Sequence, residues 1–167
     1  MSDSDFIAAG FAEEEAAYYR RLYDEQIMAQ LYLRDQAQRE GWLRSDRYRE
    51  ELNRLPGNLE NLRGQLDDET FSLYLYALGR PNPVSIQRVL SGSEAESAGL
   101  QECDVIVSID ETRIFAANDV RRVATLGDDG GTIAVEVLRD GRRMQAYLPR
   151  GPMGISMSSD SVRPSGP

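Results

Sequence analysis

The chain contains no histidine and no lysine: all 19 of its basic residues are arginine. These two absences remove most side-chain chemistry at once. Without histidine there is no Ser-His-Asp triad, no Cys-His dyad and no HExxH zinc site. Without lysine there is no Ser-Lys dyad, no Schiff base and no phosphate-loop lysine. Carboxylate-only catalysis is what remains, with Asp104 and Asp110, or Asp67 and Asp68, as the pairs to consider. Turn and helix-start roles account for these aspartates more simply. The expectation is therefore a protein that is not an enzyme and takes no cofactor and no metal. The single cysteine, Cys103, rules out an internal disulfide. No apolar run approaches the roughly 18 residues that a spanning helix needs. The start, MSDSDFIAAGFAEEE, is acidic and lacks the basic and apolar regions of a secretory signal. As written the chain reads as cytoplasmic; cut from a longer, anchored protein it would be periplasmic.

What is present is acid and helix. Asp and Glu number 28, giving a net charge of −9 at pH 7. The arginine pairs Arg20-Arg21, Arg121-Arg122 and Arg142-Arg143 are scattered among acids, so no basic surface for nucleic acid is expected. A length of 167 residues allows one small domain with a sizeable helical extension.

The extension comes first, over residues 1–80. Residues 1 to about 10 read as frayed. From there to about residue 40 the chain has no proline or internal glycine and is rich in strong helix formers. Phe11, Tyr18, Leu22, Ala29 and Tyr32 form one apolar stripe, and Tyr19, Tyr23, Ile27 and Leu31 a neighbouring one. So wide a face must pack on other helices of this chain, on a second copy or on a partner helix. Ser45 can cap a second helix, over about 45–55, which Pro56-Gly57 stops. A short helix over 59–66 comes next. A further helix spans about 67–78; it is apolar almost all round and is expected to be buried between the two halves. Trp42 and the tyrosines read as packing residues, with a ligand cage as the alternative.

Arg80-Pro81-Asn82-Pro83 marks a boundary, because two prolines exclude helix and extend their neighbours. The character then changes to short strands and turns. VSIQRVL reads as a strand. Ser91-Gly92-Ser93 offers a turn and a helix cap, Glu94 and Glu96 an acidic first turn, and Gly99 a left-handed stop. Val105, Val107 and Ile109 alternate as in a strand. Asn118-Asp119 opens a short helix ending at Gly127, and 128–131 is a turn. TIAVEVLRD and RRMQAYLP are joined at Asp140-Gly141, the strongest hairpin signal in the chain. MGISM is a last strand, and the serine-, glycine- and proline-rich residues 159–167 read as a disordered tail.

The segments SGSEAESAGL, DVIVSIDETRI, NDVRRVATL, GGTIAVEVLRDG and RRMQAYLP, in this order, resemble a PDZ domain of the bacterial, circularly permuted type. The resemblance covers residues 81–158. It implies an α+β chain: a helical region followed by a small PDZ-like β-barrel or sandwich with two short helices. One departure is that Cys103 stands where the family has a glycine before the aspartate. The family captures a peptide's C-terminal carboxylate with backbone amides of a Gly-Φ-Gly-Φ loop. The nearest match here is Arg150-Gly151-Pro152-Met153-Gly154-Ile155, at the far end of the domain. By that resemblance Met153, Gly154 and Ile155 supply the amides as an anion nest. Residues Ile155, Ser156 and Met157 form the receiving edge strand. Val120 and Val123 face the core, which turns Ala117, Arg121 and Ala124 of the short helix toward the groove. The alternative for the loop is a simple exit turn without a ligand.

PDZ domains in bacteria often regulate proteases whose catalysis needs histidine or lysine, and this chain has neither. The expected function is a non-enzymatic adaptor or scaffold. Its partner would be a protein or peptide, held by a C-terminal or extended segment, and the helical half would dimerise or dock. The alternative is a structural or assembly protein whose groove is closed. A helical half followed by a PDZ domain is also similar in layout to a eukaryotic proteasome-assembly chaperone, and no partner follows from that.

Overall fold

In a computed structural model, which describes residues 1–125 and 130–164, the chain divides into two units, Met1–Leu78 and Gly79–Arg163. Together they make an α+β protein, helices first and then an antiparallel sheet with short helices.

The first unit holds helices α1 (Asp3–Ala9), α2 (Glu13–Arg39), α3 (Asp46–Arg54), α4 (Leu59–Gln65) and α5 (Asp68–Ala77). The expected helices recur within a residue or two of their sequence bounds. The frayed start does not. Ser2 and Asp5 close a cap, Ser2 N donating to Asp5 Oδ2 at 2.7 Å. Phe6 is wholly buried. Its ring lies 5.9 Å from Phe11, 6.5 Å from Tyr19 and 5.9 Å from Tyr74. A seven-residue helix is marginal alone, so α1 exists because its aromatic side chain completes this cluster. Tyr74 of α5 is likewise buried, against Phe6 and Tyr19 of the same unit. Asp67 caps α5, accepting from the N–H groups of Glu69 and Thr70. Those contacts hold its carboxyl below the ordinary aspartate range, the Thr70 amide first. The wide apolar face of α2 is only partly used. Ala16, Tyr19 and Ala37 are buried, while Met28, Leu31 and Tyr32 stand exposed. Trp42 is half-buried beside Tyr48 and under the Arg47 guanidinium.

The second unit holds strands β1 (Val84–Val89), β2 (Val105–Ile109), β3 (Thr112–Arg113), β4 (Thr132–Arg139), β5 (Arg142–Pro149) and β6 (Ile155–Ser159), with helices α6 (Glu94–Ser97) and α7 (Ala117–Thr125). The sheet order is β5-β4-β2-β1-β6, with β3 paired to β2. All of its pairings are antiparallel. Its core includes Val84, Ile86, Ile106, Ile109, Val135, Val137 and Leu148, covered by Ala95, Leu100, Val120 and Val123. Asp140 and Gly141, at φ 50 and 76, make the two-residue turn expected between β4 and β5. Asp110 and Glu111, at φ 46 and 63, do the same between β2 and β3, without a glycine to announce it.

The expected helix end at Gly127 and residues 128–129 of the following turn lie outside the described residues. The tail expected to be disordered from residue 159 is instead held as far as Val162. Asn82, buried between the two boundary prolines, donates from Nδ2 to Val162 O at 2.7 Å and accepts from Val162 N at 2.8 Å. Asn82 N donates to Asp160 O. Composition misses this because one asparagine supplies both a donor and an acceptor to the passing backbone. Among the described residues no helix is long and apolar enough to cross a membrane.

Candidate functional site

The site is built on the segment that connects β1 to β2. Ser93 caps α6, its Oγ accepting from Glu96 N at 3.2 Å, and Glu96 accepts in turn from Gly92 N at 2.7 Å. This rigid turn reaches across to the last loop. Leu90 N donates to Gly154 O at 2.9 Å, and Ala95 N donates to Met153 O at 3.0 Å. With their carbonyls held from that side, the N–H groups of Met153 and Gly154 make no intramolecular hydrogen bond among the described residues. Ile155 faces Val89 in the strand register. The bond from Leu90 to Gly154 turns the Ile155 amide to the opposite, outer edge by the alternation of a strand. Gly154 is required here twice over. It sits at φ +77, and a Cβ on it would come within 2.3 Å of Ser93 Cβ.

Strand β6 pairs with β1 on one side only, so its other side is a free sheet edge among the described residues. Helix α7 packs near it. Ile155 and Met157 turn their side chains toward the core, while Ser156 is exposed on the other face. On α7, Ala117 is half-buried and Arg121 is exposed, its Nη1 donating to Asn118 Oδ1. Ala124 is packed into the core beside Val120 and Val123, and Met153 is buried there too. Of the expected site residues, Met153 and Ala124 therefore lie in the core, Ala124 and not only Val120 and Val123 being covered there.

Three further residues shape the site, two of them, Arg150 and Asp104, through distant partners that no local pattern names. Arg150 donates from Nη1 to Val123 O at 3.1 Å and from Nη2 to Asp110 Oδ2 at 2.8 Å, which ties the loop to α7 and to the β2–β3 turn. Asp119, which is buried, accepts at Oδ2 from the N–H groups of Phe115 and Ala116 and so sets the start of α7. Asp104 is wholly buried. It takes a two-pronged contact from Arg139, both at 2.7 Å, and a third bond from Gln101 N at 2.8 Å. Arg139 also donates to Gly99 O, closing the turn before β2. Burial alone would push the Asp104 carboxyl up. The Arg139 hydrogen bonds, the Gln101 amide and the arginine charge outweigh it and hold Asp104 below the ordinary aspartate range. These carboxylates are thus committed to structure. Among the described residues no three acids or thiols converge as a metal site would require.

Cys103 is the irregular position. It is exposed and holds φ 71, a left-handed conformation that costs a side-chain residue about 1–2 kcal/mol. It is kept there because Cys103 N donates to Ile86 O and Ile86 N to Asp104 O, each at 2.8 Å. Cys103→Gly is expected to stabilise the sheet unit by about 0.5–1 kcal/mol, the gain being reduced by the freer unfolded chain. Urea unfolding followed by circular dichroism measures it; a loss of stability would contradict the strain.

No protein-family model matches the sequence, and no curated protein matches it. Among solved structures the chain is similar to the PDZ domain of the SdrC-like protein from Listeria monocytogenes, at 17% identity and a TM-score of 0.41, over 46% of this chain and 87% of that one. It is similar to the HtrA-type protease AlgW with a decapeptide, at 21% identity and a TM-score of 0.36, over 44% of this chain and 21% of that one. It is also similar to an aminopeptidase N family protein from Idiomarina loihiensis, at 21% identity and a TM-score of 0.36, over 48% of this chain and 14% of that one.

Proposed function

We propose that the second unit is a peptide-binding module of the PDZ kind, and that the chain acts as a non-enzymatic adaptor or scaffold. The observation that carries this is the free edge of β6 beside α7, headed by the unbonded N–H groups of Met153 and Gly154. An extended segment adds to that edge as a further strand, and its terminal carboxylate is received by the amides of Met153, Gly154 and Ile155. Ala117, half-buried at the start of α7, leaves space for an apolar last side chain against Ile155 and Met157. The loop follows the other strands of the unit instead of preceding them, in keeping with a permuted strand order. The helical unit serves docking or dimerisation, which its exposed Met28, Leu31 and Tyr32 support.

The test uses the full chain and short peptides ending in leucine, valine or phenylalanine, each made with a free C-terminus and as its C-terminal amide. Saturable binding of the free acids is expected, with a loss of roughly tenfold or more on amidation, since charge-assisted bonds to the nest are removed. Equal binding of acid and amide would sink carboxylate capture, and no binding of either would sink the module.

A further inference from the structure

Strands β1 and β6 contain a single charged side chain between them, Arg88. Arg88 lies opposite Ser156 in the strand register, and both are exposed. Ile155 and Met157, on either side of Ser156, turn inward to the core. The Ser156 face is therefore the solvent face of this edge, and a strand added outside β6 must follow the same alternation. With the terminal carboxylate at the amides of 153–155, the last residue of a ligand lies opposite Ile155 and the penultimate one opposite Ser156. The penultimate side chain then emerges on the face that carries Arg88. Two strand spacings, about 10 Å, separate the two backbones, a gap that an extended arginine and an aspartate or glutamate close between them.

We propose that the groove prefers ligands with an acidic penultimate residue, read by Arg88; this rests on the peptide-binding reading above. Among the described residues Arg88 enters no salt bridge and no side-chain hydrogen bond. Two other arginines of the unit differ. Arg122 is matched by Asp119 at 3.2 Å, and Arg150 by Asp110 at 2.8 Å. On α7, the exposed Arg121 is bonded to the neutral amide of Asn118. The nearest acids in sequence are Glu94 and Glu96 of α6, of which Glu96 is engaged by Gly92, and Asp160 stands just past β6. On a chain of net charge −9, an arginine left unmatched at a binding edge favours a carboxylate from outside.

The experiment compares three free-acid peptides identical except at the penultimate position, which is aspartate, asparagine or lysine. Each is titrated into the full-length wild type, Arg88→Gln and Arg88→Glu, at low and at physiological salt. The wild type is expected to bind the aspartate peptide roughly threefold tighter than the asparagine one, an exposed-pair effect that shrinks as salt is raised. Arg88→Gln removes the difference, and Arg88→Glu turns it toward lysine. Equal wild-type affinity for all three leaves the groove standing and overturns the acidic preference. A preference for aspartate that survives in Arg88→Glu overturns the role of Arg88. Binding of none of the three overturns the groove reading and this one with it.

Discussion

Asp104→Asn is expected to destabilise the sheet unit by about 3 kcal/mol, because it leaves Arg139 facing a neutral partner at a wholly buried position. The shape is nearly conserved, so the loss reports charge and donor geometry and not a cavity. The carboxylate accepts three bonds, two from Arg139 and one from Gln101 N, and an amide can accept only at its oxygen. The same residue predicts the acid response. Its carboxyl titrates lower in the folded unit than in the unfolded chain, where an aspartate has a pKa of about 3.9. Its contribution is therefore complete above that value. It fades as pH falls through about 4 and is gone below the folded pKa, since the unfolded chain takes up the proton first. Urea midpoints measured from neutral to about pH 2.5 should fall more steeply for wild type than for Asp104→Asn. Parallel curves would show that the Asp104–Arg139 pair contributes no pH-dependent stability.

Phe6→Ala is expected to cost the helical unit about 3–5 kcal/mol, the usual range for removing a buried phenylalanine. Phe6 is wholly buried at the meeting of Phe11, Tyr19 and Tyr74, and those rings cannot close over the space it leaves. Trp42, the one tryptophan, lies in this unit and reports its unfolding by fluorescence. Ile7, its exposed neighbour on α1, is the control, and Ile7→Ala is expected to fall within about 0.5 kcal/mol of wild type. Were Phe6→Ala to behave like Ile7→Ala, α1 would contribute nothing to the unit.

The two cases mark where the sequence is informative. Long helix α2, the caps at Asp67 and Ser93, the Asp140-Gly141 turn and the alternating strand β2 were legible because each is decided by neighbours within a few residues. Helix α1 was not, since its short run of residues has little propensity of its own and its stability comes from rings far along the chain. The tail departs from expectation for the same reason. Serine, glycine and proline predict disorder, but Asn82 lies 80 residues earlier and no local pattern connects it to Val162. At the site, the loop from Arg150 to Ile155 could be found by its resemblance to a Gly-Φ-Gly-Φ loop. The bonds from Leu90 and Ala95 that turn its amides outward could not.

The sequence by itself determined the chemistry this chain lacks and the order of helices and strands. Those follow from residue type and local spacing, which set backbone preference without reference to distant partners. Only the tertiary structure decided that Gly154 must be glycine, that Asp104 is spoken for by Arg139, and that Arg88 stands unmatched beside an open strand edge. Each depends on which strands become neighbours, and in a sheet whose order departs from chain order that pairing joins residues too far apart in sequence for any local pattern to register.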